Sequence, residues 1–478
     1  MPEPQPNSRA RRRASPAVTA APSAPEDHLT PDEMAELLTR SQDPAEVDHH
    51  LVRHLLGRCE HCYKIAEDVR RATAEFGHWN HSLALAESNE APGLWRHLEV
   101  LPVRQQLAAV AGDETYQTWG FCRLLQRLSG EAAARRPPEA DRAADLASLA
   151  VAVSCHLEST YDADWIEDQQ ALSYARLGEA RRLMGELHGA GDAFEMARQA
   201  LKAGTAYPSV EAEVVALEAL LRRDQRRLVT AANLFDRVHH LHTDRKRAIA
   251  DPEVTNPHLG GRALLHRAWC VYHLGQLAAA EEALERAAEL LDEERAPGLG
   301  LALRHGRVWT ALALRDFEAA AARLAPATIL VGQVGDEAVG LRLRRAAARV
   351  ALAAGETCTA KKTLRETAAA FAAIDQGIDC ALALIELADL CLRTGDDDGL
   401  KPLAAELLPA FSSNEVQRAE MAALILLQQA IEGERLTIGL AERLAVMIER
   451  GRRPCLDWWS GWCAMLSHER IDDAKQSA

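Results

Sequence analysis

The chain has 478 residues, of which 48% are apolar and only 5% aromatic, and its formal net charge is −15 at pH 7. This length exceeds one compact core and indicates several domains or an elongated array. The acidic balance argues against general nucleic-acid binding, which needs a basic face for the phosphates, and a membrane span is not expected because no run of about 18 apolar residues occurs.

The N-terminal segment, residues 1–25, is rich in Pro, Ala, Ser and Arg and holds almost nothing that could form a core. Such a composition predicts a disordered tail. Its arginine cluster is not followed by an apolar stretch, so it is not a secretory signal. Ten cysteines without such a signal are typical of reduced thiols in a cytosolic protein. We therefore expect a cytoplasmic location.

Residues 26–78 have the pattern of three short helices, the first starting at HLTPDEMAELLTR with Thr30 as N-cap. A core this small needs an additional staple. The string HHLVRHLLGRCEHC provides a candidate, because His54, Cys59 and Cys62 can turn three ligands to one metal ion. Zinc in a closed structural site takes four such ligands. The alternatives are an ordinary cysteine pair beside a histidine-rich helix end and a redox-sensitive Cys59–Cys62 pair.

This segment resembles the zinc-binding anti-sigma-factor domain, whose signature is a His-Cys-Cys group with an upstream fourth ligand. The resemblance implies a structural zinc ion held by His28, His54, Cys59 and Cys62. Four residues separate His54 from Cys59 where the family usually has three, and Gly57 can absorb the difference. His50 is the alternative fourth ligand, followed by His49 and His61.

Residues 79–165 remain helical in pattern but irregular, with breaks expected near Pro92, Pro102 and the Pro137–Pro138 pair. We interpret this segment as a helical lead-in to a repeated region.

The repeated region spans residues 166–410. Gly275, Arg315, Gly355 and Gly395 follow one another at intervals of 40 residues, each between two alanine-rich helical stretches. A fixed period of this size predicts stacked helix pairs. The clearest copy has the small, aromatic and turn residues of the tetratricopeptide repeat (TPR) pattern at Tyr174, Gly178, Gly185, Leu187, Ala190, Phe194 and Ala197. The region resembles that family, and the predicted fold is an all-α, α-solenoid of TPR-like helix pairs after a three-helix zinc module.

In TPR proteins the first helix of each pair lines a groove that binds partner peptides, and the resemblance places these groove positions on this chain. Trp269, Trp309 and Arg349 occupy the same slot in three consecutive units. Aromatic and arginine side chains are typical binding hot spots, and guanidinium groups capture carboxylates. The candidate groove residues are Arg262, Trp269, Tyr272, His273, His305, Trp309, Arg342, Arg345 and Arg349.

Residues 411–478 begin with an amphipathic helix and end in CLDWWSGWC, which contains Trp458, Trp459 and Trp462. We expect a C-terminal helical cap over the end of the solenoid core, the alternative being an aromatic surface for a partner.

No P-loop, dinucleotide fingerprint or hydrolase motif occurs in the chain, so an enzyme is not expected. The sequence favours a regulatory or adaptor protein that binds an acidic or C-terminal peptide segment. The zinc module would contact a second partner, for which the resemblance implies a sigma factor. A pure TPR scaffold with a structural zinc module is the first alternative, and a DNA-binding transcription regulator is the second.

Overall fold

The computed structural model describes residues 81–135, 137–157, 161–244, 256–407, 418–433 and 435–451. The chain divides into two compact units, Met1–Leu83 and Ala84–Ala478, and almost all described residues belong to the second. The predicted zinc module at 26–78 and the tryptophans 458, 459 and 462 lie outside the described residues. No described helix has the length and apolarity needed to cross a membrane.

All regular structure in these ranges is helical. The first four helices are α1 (His81–Leu98), α2 (Val103–Gly112), α3 (Trp119–Ala134) and α4 (Ala140–His156). The helices of the repeated region are α5 (Ala163–Leu183), α6 (Leu187–Ala203), α7 (Pro208–Asp224), α8 (Leu228–Thr243), α9 (Pro257–His273), α10 (Leu277–Leu290), α11 (Pro297–Ala313), α12 (Phe317–Val334), α13 (Glu337–Ala353), α14 (Thr357–Ala373) and α15 (Gly377–Thr394). The chain continues through α16 (Asp397–Leu400), α17 (Leu403–Glu406), α18 (Arg418–Glu432) and α19 (Ile438–Gly451).

Consecutive helices in the repeated region pack as pairs: α5 with α6, α7 with α8, α9 with α10, α11 with α12, and α13 with α14. The first helices of neighbouring pairs also contact one another, as α5 does α7 and α11 does α13. We call these first helices, α5, α7, α9, α11, α13 and α15, the A helices. The predicted α-solenoid of TPR-like pairs is confirmed for this part of the chain. Helices α3 and α4 form a further pair within the predicted lead-in.

The turn inside each pair contains one residue in the left-handed backbone region. Gly275, Gly355 and Gly395 have φ values of +78°, +85° and +64°, and Arg315 adopts +60° at the equivalent position. A side chain costs roughly 1–2 kcal/mol in this conformation, which explains why glycine recurs there. The 40-residue period therefore marks a backbone requirement of the turn, and Arg315 meets it without glycine.

Small residues bring the two helices of each pair together. One alanine near the start of each second helix is fully buried, at Ala190, Ala231, Ala280, Ala320 and Ala360. A bulky side chain follows four residues later, and Phe194 and Phe235 are fully buried there. Gly178 lies directly over the Phe194 ring, where an added Cβ would come within 2.6 Å of a ring carbon. The helices can cross this closely only because one side of the crossing has no side chain.

The expected break at Pro92 is wrong, because α1 runs through this residue from His81 to Leu98. Pro92 is exposed on α1, so the carbonyl that loses its helical donor can be hydrated instead. Pro102, in contrast, immediately precedes α2, and the Pro137–Pro138 region separates α3 from α4.

The last pair is irregular, since two four-residue helices, α16 and α17, follow α15. Helix α19 packs on α15 and on α18. Leu444 and Ile448 of α19 are buried in the same apolar cluster as Ile385 of α15. This pair covers the end of the repeat core within the described residues.

Replacing Gly178 by alanine should lower the free energy of unfolding by roughly 1–3 kcal/mol, because the new methyl group overlaps the Phe194 ring. Gly191, in the second helix of the same pair, is the control, since the nearest atom to an added Cβ is Gln225 Nε2 at 3.9 Å. Gly191→Ala should leave stability unchanged or raise it by up to about 1 kcal/mol. Chemical denaturation of both variants measures the difference, and equal effects would contradict the close crossing.

Candidate partner-binding surface

The predicted zinc ligands His28, His54, Cys59 and Cys62, and the alternative His50, lie outside the described residues. Within the described ranges, no group of three or more His, Cys, Asp or Glu side chains is arranged to hold a metal ion. The candidate surface that can be examined is therefore the predicted groove on the A helices.

Three predicted groove residues form a cluster at the C-terminal end of α9. The rings of Trp269 and His273 are 4.1 Å apart between centroids, and Tyr272 meets His273 edge-on at 5.3 Å. The guanidinium of Arg226, from the turn after α7, lies 5.6 Å from the centre of the Trp269 ring. All three rings remain partly exposed. We call Trp269, Tyr272 and His273 the α9 aromatic cluster.

The equivalent tryptophan of the next pair, Trp309, is covered by arginines of the following A helix. Arg345 and Arg349 of α13 lie over its ring at 4.6 and 4.9 Å from the centroid. Trp309 is only 7% exposed, whereas 40% of the Arg349 side chain is accessible to solvent. Trp309 therefore acts mainly as a platform for the arginines, and Arg349 is the member of this group that a partner can reach.

Two carboxylates of α15 pair with the three predicted arginines of α13. Asp379 accepts hydrogen bonds from Arg342 Nε at 2.8 Å and from Arg345 Nη1 at 3.3 Å. Glu386 accepts from Arg349 Nε at 3.1 Å and forms an ion pair with Arg345 at 3.2 Å. The side chains of Asp379 and Arg345 are 2% and 1% exposed. These charges hold two A helices together as well as presenting a basic surface.

Arg262 and His305 lie in the interior, with exposures of 0% and 4%. Both stand nearer the N-terminus of their helix than the tryptophan of the same helix. The structure therefore divides the predicted groove residues. Arg262, His305, Trp309, Arg342 and Arg345 are buried, whereas Trp269, Tyr272, His273 and Arg349 reach the surface.

Charged contacts between A helices also occur where the sequence analysis named none. Arg176 of α5 pairs with Glu213 of α7, and Arg182 pairs with Asp224 further along the same two helices. Asp224 is held in a lowered-pKa state against its burial by the guanidiniums of Arg223 and Arg182. The one available signal was the run of arginine and acidic residues on otherwise apolar helices.

Four of the six cysteines in the described ranges are buried, at positions 122, 270, 380 and 391. Burial raises the pKa of the Cys122 and Cys270 thiols to about 12 and that of Cys380 to about 11. A protonated, buried thiol is a poor nucleophile at neutral pH. These side chains act as small apolar core residues.

No protein-family model and no curated protein matches this chain. Among solved structures, it is similar to a Rap protein complexed with competence and sporulation factor, with 13% identity and a TM-score of 0.47 over 74% of this chain and 98% of the other. It is also similar to the apo form of RapI, with 14% identity and a TM-score of 0.46 over 79% of this chain and 95% of the other. The assignment of the fold rests on the helix pairing described above.

Asp379→Asn should lower the free energy of unfolding by about 3 kcal/mol, because it removes the negative charge that two buried arginines share. Asp398→Asn is the matched control, since its side chain is 99% exposed and should change stability by less than about 0.5 kcal/mol. Thermal or chemical unfolding measures both, and a silent Asp379→Asn would contradict the structural role of the pair.

Proposed function

We propose that this chain is a non-enzymatic adaptor that binds an extended peptide segment of a partner protein along the A helices between residues 262 and 349. The observation that carries the proposal is the α9 aromatic cluster. Its rings are partly exposed and already packed against one another and against Arg226. Rings that are held in place before binding lose little side-chain entropy when a partner covers them.

The chemistry of this surface favours a segment with an apolar or aromatic side chain and a nearby carboxylate. The rings of α9 offer stacking area, and the exposed part of Arg349 offers a guanidinium. Three arginines of α13 face two carboxylates of α15, so this group retains one net positive charge. In a chain of net charge −15, a local positive site of this kind favours an acidic or C-terminal segment.

The N-terminal module is a separate part of the proposal. We infer from the His-Cys-Cys pattern that residues 26–78 form a zinc-stapled module, with His28 as the fourth ligand and His50 as its alternative. Such a module would contact a second partner, and the anti-sigma resemblance makes a sigma factor the class to test first. If the module is only structural, deleting it will leave the partners of the chain unchanged.

The binding surface can be tested with peptides selected from a random displayed library against the full chain. Trp269→Ala and Tyr272→Ala should each weaken the selected peptides by tenfold or more, the loss that is typical of a buried aromatic anchor. Phe317→Ala is the matched control, because Phe317 is an exposed aromatic at the start of α12, outside this surface. Titration by calorimetry gives the affinities. Retained affinity in both α9 variants, with the fold intact, would contradict the proposed surface.

The zinc module predicts about one zinc ion per chain in protein purified without added metal. Cys59→Ser combined with Cys62→Ser should abolish it, because the thiolates are two of the four proposed ligands. Cys155→Ser combined with Cys358→Ser is the control, since both cysteines are exposed in the helical array. Elemental analysis measures the content, and comparison of His28→Ala with His50→Ala identifies the fourth ligand. Zinc that survives the Cys59 and Cys62 changes would rule out this site.

A further inference from the structure

Two histidines in neighbouring helix pairs accept hydrogen bonds from arginines. His239 Nε2, on α8, is 2.7 Å from Nη2 of Arg286 on α10. His266 Nδ1, on α9, is 3.2 Å from Nη1 of Arg223 on α7. A guanidinium can only donate, so each of these ring nitrogens must carry the acceptor lone pair. Both imidazoles are therefore neutral, and each is fixed in one tautomer.

The other nitrogen of each ring agrees with this assignment. In His239 the proton lies on Nδ1, which donates to the Gly260 carbonyl of α9 at 3.3 Å. In His266 the proton lies on Nε2, which is buried and has no hydrogen-bond acceptor within the described residues. The His266 ring is stacked on Phe235 of α8, with centroids 4.9 Å apart. Together the two rings connect α7, α8, α9 and α10.

Positive charge surrounds both rings. His266 faces Arg223 from α7, Arg182 from α5 and Arg262 from its own helix. Those arginines stay charged because Asp224 pairs with Arg223 and Arg182, and Glu179 also pairs with Arg182. His239 faces Arg286 from α10, with Asp236 and His240 contributed by its own helix. Asp236 is the one acidic group that favours protonation of His239, and it also pairs with His240 and Arg267.

Protonation of either ring would remove the acceptor of an arginine and place two cations in contact. Burial and the neighbouring arginines lower the pKa of His266 well below its ordinary 6.5. Burial and Arg286 likewise lower the pKa of His239. A lowered pKa in the folded state means that the unfolded chain binds the proton more readily. The stabilising effect of these groups is therefore complete above about pH 6.5 and is lost as the pH falls below it.

We propose that His239 and His266 form a pH-sensitive fastening between the second and third helix pairs, which loosens α8 and α9 on mild acidification. This inference does not depend on the proposed function, although α9 also carries the aromatic cluster. The loosening results from the loss of the two arginine–imidazole hydrogen bonds. The apolar contacts around them, including the Phe235 stack, are not titratable and keep the pairs associated at neutral pH.

The experiment compares the unfolding equilibrium of the full chain at about pH 7.5 and about pH 5.5. A histidine that excluded the proton completely from the folded state would lower the folding constant about tenfold over this interval. His239→Gln and His266→Gln should each reduce the fall by up to that factor, because glutamine accepts from arginine and does not titrate. His188→Gln is the control, since His188 is 96% exposed and should retain the wild-type fall. Asp168, whose pKa burial raises to about 6, acts in the opposite direction but is common to all variants.

Two further measurements on the wild-type chain protect the test against a variant that fails to fold. Side-chain ¹⁵N spectra should show the proton on Nδ1 of His239 and on Nε2 of His266 at about pH 7.5. Hydrogen exchange in α8 and α9 should accelerate at least several-fold more than in α13 when the pH is lowered, after correction for the intrinsic rate. Opposite tautomers, equal acceleration in both regions, or an unchanged pH response in both glutamine variants would overturn the proposal.

Discussion

The close crossing of two helices within each pair is the constraint on which the rest of this structure depends. Alanines such as Ala190, Ala280 and Ala360 are fully buried at the crossing, and larger side chains pack one turn beyond them. A single pair would leave its apolar face in water, so each pair is stable only against its neighbours. The crossing distance therefore sets how the A helices line up and which of their side chains face one another.

Charged side chains then determine how neighbouring A helices are joined. Arg342 and Arg345 meet Asp379, and Arg176 meets Glu213, largely out of contact with water. A buried ion pair contributes little net stability, yet the loss of one partner is costly. Such pairs thus disfavour other registers of one helix against the next, and they account for arginines that a groove reading would assign to a ligand.

The sequence predicted the repeated turns and crossings well because both are local. Gly275 and Gly355 follow from the backbone of one turn, and Ala280 from its spacing to that turn. The exposure of the groove residues could not be predicted in this way. Trp269 and Trp309 occupy the same slot, but Trp309 is covered by arginines of the next A helix, whereas Trp269 remains partly exposed. The covering residues are 36 and 40 positions away in the sequence, and only the register between pairs brings them there.

The junctions between A helices differ in the group that accepts from arginine, and this difference has a consequence for pH. Carboxylates accept between α5 and α7 and between α13 and α15, whereas the imidazole of His266 accepts between α7 and α9. A carboxylate paired with arginine keeps its charge well below neutral pH, but an imidazole acceptor is lost once it binds a proton. Mild acid should therefore act on the α7–α9 junction before the carboxylate junctions. Since α9 also carries Trp269, the part of the array with the most accessible aromatic surface is also the part whose fastening responds near physiological pH.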